Sequence, residues 1–377
     1  MTELRTVVQQ LWEHTPRNVF RTDLTQQRAD ELKAMLDGSV LFRDICRINY
    51  GAQINSKLGA EPSFGKDEYL STTDEGLGNP KQFYDGDHMR AYAMVWRGMW
   101  VDWQPDLFYG PRKPALFENP KVSIRYVSGD SDTFLAWVDE ERFYNDHLVV
   151  NCVPYHLCAG EPSYHVKAEL AAASKHYPLY YLLGIVMSLP VLRYYADLYA
   201  TGSLQGAFSH VYPDTVKQLP IPQLLAPLPD APPDWFSRVQ ALGGAGSTSR
   251  TAVRREFGTR EQLAAVVTAC ARRRQETELR RVERLHDFTD FMTSRDEKWR
   301  WPTGASLEQP PEETVMLQSI RDKNVSVDLV KTVRNQFRQQ VTAARGDVAE
   351  AELLQSSIDA ISAALFAMPA PKRRRRS

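Results

Sequence analysis

Apolar residues recur at helical spacing at both ends of this chain, whereas its middle consists of short apolar runs between turn-forming residues. Near the N-terminus, Val7, Val8, Leu11 and Trp12 lie on one helical face, and a second set of the same spacing follows. We therefore expect residues 1–39 to form a helical lead-in.

The middle of the chain carries the pattern of a β-rich domain. Its apolar runs are bounded by Gly, Pro, Asp and Asn, the residues that favour turns. The connecting segments carry many aromatic residues, which suits a domain that displays binding loops. The predicted strands are residues 40–45, 94–100, 122–127, 134–138 and 147–152.

An apolar helical segment over residues 176–200 follows. Its longest apolar run, 177–192, is shorter than the roughly 20 residues that span a bilayer, and it contains Pro190. Proline in a helix interior removes a hydrogen bond and clashes with the preceding turn, so we expect Pro190 to end or kink the helix. We interpret the segment as a buried helix of a soluble, non-membrane protein.

The last third of the chain is predicted to be helical. Six prolines between Pro220 and Pro233 and a glycine-rich stretch after them indicate a linker over residues 226–250. Beyond it, apolar residues repeat at intervals of three and four, which predicts two or three long antiparallel helices over residues 251–368. We expect residues 369–377 to be a basic, disordered tail.

The composition is that of a folded protein, since the 377 residues are 43% hydrophobic and 25% charged. The net charge of -1 does not indicate a nucleic-acid binder, but residues 250–301 hold thirteen Lys/Arg and nine Asp/Glu. Irregular cysteine spacing argues against a disulfide framework and for a reducing, cytoplasmic environment. The cysteines are Cys46, Cys152, Cys158 and Cys270.

The sequence predicts neither a catalytic residue set nor a metal site in this chain. The motif with which adenine methyltransferases hold the target amine, Asn/Asp-Pro-Pro-aromatic, has its nearest likeness at residues 152–155, where cysteine replaces the amide. Residues 296–298 resemble part of a nuclease carboxylate–lysine set but lie in a basic, helical stretch. The nearest approach to a zinc set, at a spacing that fits no standard site, is Cys152, His156, Cys158 and His165.

Five short phrases then occur in a fixed order. They are YGAQI (50–54), KQFYDGDHMRAY (81–92), RKPALFENPKVSIR (112–125), YYLLGIVMS (180–188) and VKQLPIP (216–222). This order resembles the TaqI-like C-terminal specificity domain of adenine-specific DNA methyltransferases and fused restriction–modification enzymes. It is similar in outline to half of a type I specificity subunit. The resemblance covers roughly residues 40–225; Met187 stands where the family has asparagine, and the family's preceding catalytic domain is missing.

The resemblance implies an α+β fold: a β-rich target-recognition domain with packed helices, followed by a long-helix C-terminal spacer bundle. It implies sequence-specific binding of double-stranded DNA, with adenine-N6 methylation or cleavage carried out by a partner methyltransferase or nuclease. S-adenosylmethionine would belong to that partner, and this chain would hold no cofactor. Cations of such a domain hold phosphates or read guanine. The candidate DNA-binding residues are Lys81, Arg90, Arg97, Arg112, Lys113, Lys121 and Arg125.

Alternatives stay open at this point. Lys121 and Arg125 lie on a predicted strand and could serve internal pairing instead. Arginines between residues 272 and 284 could follow phosphates or form a salt-bridged helix face. The chain could also be part of a split or truncated adenine methyltransferase, or an interaction protein that forms a homodimer through its C-terminal helices without DNA specificity.

Overall fold

The computed structural model describes residues 25–57, 64–126, 133–199, 210–243, 249–295, 297, 299–302, 305–307, 309–320 and 326–369. Within them the chain is a mixed α+β protein with a long C-terminal helix, as predicted. Most of the predicted lead-in, nearly all of the basic tail and residues 296 and 298 lie outside the described residues.

The strands are short, and the longest helices lie in the last third of the chain. The strands are β1 (Ser39–Leu41), β2 (Cys46–Tyr50), β3 (Gln53–Ser56), β4 (Leu70–Ser71), β5 (Pro80–Tyr84), β6 (Met89–Arg90), β7 (Ala93–Met94), β8 (Trp100–Asp102), β9 (Phe108–Gly110), β10 (Lys121–Arg125), β11 (Ala136–Asp139), β12 (Tyr144–Asn145), β13 (Val149–Pro154) and β14 (Pro220–Pro222). The helices are α1 (Gln26–Asp37), α2 (Tyr155–Cys158), α3 (Ala168–Ser174), α4 (Leu179–Val186), α5 (Leu189–Leu198), α6 (Pro213–Val216), α7 (Trp235–Gly243), α8 (Arg250–Phe257), α9 (Arg260–Thr293), α10 (Glu313–Gln318) and α11 (Val327–Phe366).

A four-stranded antiparallel sheet with the strand order β11-β10-β13-β2 forms the centre of the β-rich part. Alternate residues of each strand point to opposite faces. On one face Val122, Ile124 and Val150 are completely buried, and helix α4 packs against β10 and β11. The apolar segment of the sequence thus covers the apolar face of the sheet.

The opposite face carries a buried polar network. Ser123 Oγ donates to Asn151 Oδ1 at 3.1 Å, and Asn145 and Asn151 exchange amide hydrogen bonds of 2.7 and 3.0 Å. Asn145 Nδ2 also donates to the Tyr84 hydroxyl at 3.0 Å. Because these buried groups satisfy one another, they tie β5 and β12 to the central sheet.

A buried ion pair lies at the end of the same face. Lys121 Nζ is 2.5 Å from Asp139 Oδ2, and both side chains are 0% exposed. The ammonium also donates to the carbonyl oxygens of Phe117 (2.8 Å) and Phe143 (3.0 Å), while Asp139 accepts from the backbone of Arg142 (2.7 Å). One charged pair therefore joins β10, β11 and the turns that contain these carbonyls.

The two ends of the β-rich part lie side by side. Strand β1 pairs antiparallel with β14, with Val40 opposite Ile221. Phe42 N donates to Leu219 O at 2.9 Å, which extends the pairing beyond the strands. The segment closed in this way spans almost the same residues as the resemblance.

Helices α4 and α5 replace the single helix predicted over residues 176–200, and they are bent by 57°. Pro190 lies in the first turn of α5, which confirms the expected break, because proline is tolerated at a helix start. Within the described residues, no single helix has the length and apolarity to cross a membrane; α4 and α5 reach both only when counted together.

The chain divides into two compact units. Unit 1 comprises the described residues up to Arg272 and those from Ser356 onward, and unit 2 comprises those between Arg273 and Gln355. The predicted linker contains helix α7 and belongs to unit 1. The helix begins at Trp235, just after the last proline of the segment, Pro233, because the residues that follow are free to adopt helical geometry.

Unit 2 has a core of its own, formed by parts of α9 and α11 together with α10. In this core Phe288, Trp299 and Phe337 are buried. The two long helices run antiparallel here, as predicted, since Arg273 pairs with Glu350 while Phe288 contacts Phe337. Their apolar stripes therefore pack against each other within the chain.

Gly184 permits close packing of α4 against α9 in unit 1. A Cβ atom at Gly184 would lie 2.7 Å from Val267 Cγ1 and 3.2 Å from Ala271 Cβ. Overpacking costs about 1–3 kcal/mol, whereas alanine gains up to about 1 kcal/mol over glycine in a helix. We expect Gly184→Ala to lower the free energy of unfolding by about 1–2 kcal/mol in urea titrations. The control Gly346→Ala, at a helical site without neighbours within 4 Å, should raise it, and equal changes would contradict the packing argument.

Replacing Lys121 tests the buried pair. Lys121→Met leaves Asp139 charged, buried and without its cation, so we expect a loss of about 3–5 kcal/mol in the free energy of unfolding. The double variant Lys121→Met/Asp139→Asn should recover part of this loss, because no unpaired charge remains buried. The surface control Lys33→Met should change stability by less than about 0.5 kcal/mol. A loss at Lys121 no larger than that of the control would refute the central role of the pair.

Candidate nucleic-acid interface

The structure corrects one of the seven predicted DNA-binding residues. Lys121 is 0% exposed and its charge is matched by Asp139, so a phosphate cannot reach it. Burial lowers the pKa of Lys121, and the attraction of Asp139 acts in the opposite direction. Lys121 therefore serves internal pairing, the alternative that the sequence left open.

Two further candidates are half-buried and ion-paired. Lys81 Nζ lies 3.3 Å from Glu118 Oε1, and Arg125 Nη2 lies 2.6 Å from Asp87 Oδ1. Pairs near the surface contribute about 0–1 kcal/mol, so each cation can exchange its carboxylate for a phosphate.

Arg90 and Arg97 are exposed, at the β6–β7 turn and in the turn before β8. In the described part of the chain, neither has an acidic side chain within 4 Å. Both can contact a ligand, but nothing in the structure holds either side chain in one position.

Arg112 and Lys113 follow β9 and precede a short 3-10 turn, Pro114–Leu116. Arg112 has a φ of +66°, a left-handed conformation that costs a non-glycine residue about 1 kcal/mol. Its Nε donates to Gly51 O at 3.4 Å. The structure thus holds a strained, half-buried arginine directly beside an exposed lysine.

An aromatic cluster lies on one side of Arg112. The ring of Tyr126 contacts Tyr50, His210 and Tyr212 at centroid distances of 5.6, 4.8 and 5.4 Å. Tyr212 is 46% exposed. Burial raises the pKa of Tyr50, Tyr212 and Asp214 add to the rise, and the positive charge of Arg112 opposes it. The hydrogen bond of Arg112 Nε to Gly51, the residue after Tyr50, brings its side chain to this cluster.

A second aromatic group is formed by Tyr164 together with Arg47. The guanidinium of Arg47 lies over the Tyr164 ring, 4.8 Å from its centroid. Burial raises the pKa of Tyr164 to about 12, and the charges of Arg47 and Arg112 oppose the rise. Two guanidinium groups therefore act on one tyrosine.

A concave region of about 280 Å³ continues this group along β2, the edge strand of the central sheet. Its walls carry the cations Arg43, Arg47 and Lys217 and one carboxylate, Asp44. Lys217 Nζ also lies 2.9 Å from Asp214 Oδ1, so part of its charge is matched. Positive charge still exceeds negative charge on the walls.

Together these groups form a basic and aromatic surface that we call the Arg112 surface. Cations of such a surface can bind phosphates, and its rings can stack on bases. Sequence reasoning anticipated Arg112 and Lys113 and missed the others, although two of them stand in the first and last phrases of the resemblance. The Arg112 surface consists of Arg43, Arg47, Tyr50, Arg112, Lys113, Tyr126, Tyr164, His210, Tyr212 and Lys217.

The arginines of α9 in unit 2 form ion pairs within the chain. Arg273 Nε lies 2.7 Å from Glu350 Oε1, and Arg284 Nε lies 2.8 Å from Asp347 Oδ2. Arg280 contacts both acids, at 3.4 and 3.6 Å. Of the two alternatives for these arginines, the structure therefore shows the salt-bridged helix face.

The acidic residues of the second phrase form a structural network. Asp85 Oδ1 accepts a hydrogen bond from His88 Nδ1 at 2.8 Å, and Lys66 Nζ lies 3.3 Å from Asp85 Oδ2 and 3.2 Å from Asp146 Oδ2. Asp85 also accepts from Asp87 N at 3.1 Å. The network fixes the turn that presents Asp87 to Arg125.

The described residues include no group of three or more His, Cys, Asp or Glu side chains that could hold a metal ion. His156 Nδ1, a member of the nearest zinc set, instead lies 3.0 Å from Ser174 Oγ. Burial raises the pKa of the Cys152 thiol, and that of Cys158 to about 11, so both are neutral thiols at pH 7 in the metal-free chain.

Comparison with models of protein families finds no match, and a search of curated proteins finds no relative. The resemblance therefore rests on the five phrases. Three of them meet at the Arg112 surface: Gly51 of the first contacts Arg112 of the third, and Lys217 of the fifth accepts a backbone hydrogen bond from Arg43 (3.2 Å).

The Asp85 network predicts a dependence of stability on pH. Hydrogen bonding to His88 and the charge of Lys66 hold the pKa of Asp85 well below its ordinary value. A carboxyl group of this kind stabilises the fold above its unfolded pKa of about 4, and the contribution is lost as the pH falls further. We expect Asp85→Asn to lower the free energy of unfolding by about 1–3 kcal/mol at pH 7.

The difference in the free energy of unfolding between this variant and the unmodified protein should narrow as the pH falls from 5 to 2. In this range Asp85 of the unfolded chain takes up a proton (about one proton per chain), whereas the folded carboxylate, with its lowered pKa, does not. Urea unfolding at each pH measures this difference. Asp87→Asn is the matched control, since Asp87 is far more exposed. A difference that is constant with pH would show that Asp85 does not carry the effect.

Proposed function

We propose that unit 1 binds double-stranded DNA through the Arg112 surface, as the target-recognition module of a bacterial restriction–modification or phage-defence system. Adenine-N6 methylation or cleavage belongs, in this proposal, to a catalytic domain or subunit outside this chain, which also binds S-adenosylmethionine. The proposal places the chain in the cytoplasm.

The observation that carries the proposal is the conformation of Arg112. A non-glycine residue in the left-handed region persists only where its surroundings enforce it, and such strain is concentrated at functional sites. Arg112 is one of four described non-glycine residues with a positive φ, and its Nε donates to the carbonyl of Gly51, next in sequence to Tyr50 of the aromatic cluster. A guanidinium fixed in this way can meet the O6 and N7 atoms of guanine, the commonest specific contact in the major groove.

The other members of the Arg112 surface suit contacts with the DNA backbone. Lys113 is exposed and Arg43 and Lys217 line the concave region beside β2, so these cations can bind phosphates without fixing a sequence. Tyr212 is exposed enough to stack on a sugar or an unpaired base.

A homodimer through the C-terminal helices receives less support. Val333, Phe337 and Val341 of the predicted stripe are at most 8% exposed within a single chain. We assign the long helices the spacer role that the resemblance implies.

The first experiment is a selection of bound duplexes from a random-sequence pool by the full chain, at about 150 mM salt. We expect an enriched motif that contains guanine, and binding that weakens with salt in proportion to the phosphates contacted. Recovery of no motif, with binding lost at modest salt, would refute target recognition.

Arg112→Gly separates binding from stability. Glycine adopts a φ of +66° without strain, so the free energy of unfolding should stay the same or rise by up to about 1 kcal/mol. Affinity for the selected duplex should fall at least about tenfold, because a guanidinium–guanine contact is lost. Fluorescence anisotropy measures the affinity, and urea unfolding measures the stability.

Two further variants complete the test. Lys33→Gln removes one charge from the exposed face of α1 and should leave both quantities nearly unchanged. Arg112→Lys keeps the charge but loses the planar fork, so it should retain the salt dependence while discriminating less between guanine and other bases. Equal losses for Arg112→Gly and Lys33→Gln would exclude the Arg112 surface as the binding site.

A further inference from the structure

A second concave site lies in unit 1, away from the Arg112 surface. It is a cavity of about 280 Å³ between α1, the start of α5, the start of α8 and the end of α11. Its apolar wall includes Met35, Leu189, Pro190 and Phe366. Leu189, one of the lining residues, is 40% exposed, so part of its apolar side chain has no packing partner in the chain.

Three guanidinium groups, of Arg28, Arg193 and Arg250, line the same cavity. Arg28 Nε lies 2.5 Å from Asp197 Oδ2 and its Nη1 lies 2.6 Å from Glu31 Oε2, but its Nη2 is buried without a hydrogen-bond partner. A buried donor without an acceptor costs about 1–3 kcal/mol. Because Nη2 has no solvent contact, a ligand oxygen in the cavity cannot reach it, and Arg193 and Arg250 are the cations of the lining without an ion-pair contact among the described residues.

The two acids of the cavity wall already have partners. Glu31 pairs with Arg28, and Asp359 Oδ1 accepts the backbone N–H of Leu189 at 2.8 Å. Arg193 and Arg250 have no acidic side chain within 4 Å among the described residues. The cavity thus combines an apolar wall with two guanidinium groups, of Arg193 and Arg250, that lack an ion-pair contact among the described residues, although the charge of Arg250 also acts on Glu31.

We propose that this cavity binds a small apolar carboxylate. The hydrocarbon part packs against Leu189 and Phe366, and the carboxylate pairs with Arg193 and Arg250. Guanidinium groups suit this ligand because they offer paired N–H donors to both carboxylate oxygens. The inference is independent of DNA binding, since it uses none of the residues of the Arg112 surface.

Calorimetric titration of the full chain tests the site with three probes that share one hydrocarbon chain. Decanoate carries the required charge, 1-decanol carries none, and decylammonium carries the opposite charge. We expect saturable binding of one decanoate per chain, at least about tenfold weaker binding of decanol, and none of decylammonium, because a charged hydrogen bond is worth about tenfold or more. Equal affinity for decanoate and decanol, or no binding of decanoate, would overturn the proposal.

Variants locate the binding. Arg193→Gln/Arg250→Gln should weaken decanoate binding at least about tenfold and leave decanol unaffected, because only the charged contacts change. Ala363→Phe, on the cavity wall, should reduce binding of both probes by filling the space. Arg255→Gln, on an exposed position of α8, is the control and should change neither. Thermal unfolding checks that each variant is folded, and decanoate binding that survives the double variant would place the ligand elsewhere.

Discussion

The Lys121–Asp139 pair is the interaction on which the β-rich part depends. Two opposite charges without solvent contact are costly to bury, and only good geometry and further hydrogen bonds offset that cost. Here the ammonium also binds Phe117 O, at the end of the turn that begins with Lys113. The pair therefore fixes the segment that follows Arg112. Lys121 itself cannot contact DNA, but it helps to position Arg112, which we propose does contact DNA.

The polar network beside this pair explains why the sheet has two different faces. Ser123 and Asn151 alternate along their strands with apolar residues that face α4. Such a polar layer is stabilising only when every member is satisfied, and a shift of one residue in register would exchange it with the apolar layer. The buried polar residues thus specify the register of β10 and β13, while the apolar residues supply most of the burial.

Periodicity predicted the elements whose structure is decided locally. Strands β10, β11 and β13, the break at Pro190 and the antiparallel C-terminal helices follow from the patterns, because burial and proline chemistry act over a few residues. The predicted strand over residues 94–100 ends at Met94, because Gly98 turns the chain with a φ of +73°. The burial of Lys121 could not be predicted, because its partner Asp139 lies on another strand and the sequence around Lys121 does not indicate this pairing. The full Arg112 surface could not be predicted either, because Arg43, Tyr164 and Lys217 are far from Arg112 in sequence and become part of one surface only through the fold.

The cations of the Arg112 surface differ from the arginines of α9 in how they are ion-paired. The sequence concentrates arginine in α9, yet in unit 2 Arg273, Arg280 and Arg284 face Glu350 and Asp347 on α11. Glu350 and Asp347 are only 20% and 9% exposed, unlike the acidic partners of Lys81 and Arg125, so giving up an arginine to a phosphate would leave a poorly solvated carboxylate without its cation, and these arginines gain little by binding DNA. Beside β2, Arg43 and Lys217 also have acidic partners, Asp44 at 4.0 Å and Asp214 at 2.9 Å, but these carboxylates are 47% and 61% exposed and stay solvated when a phosphate takes over the cation. A protein of nearly zero net charge can bind DNA in this way when cations that are unpaired, or whose acidic partners remain solvated, lie together on one surface.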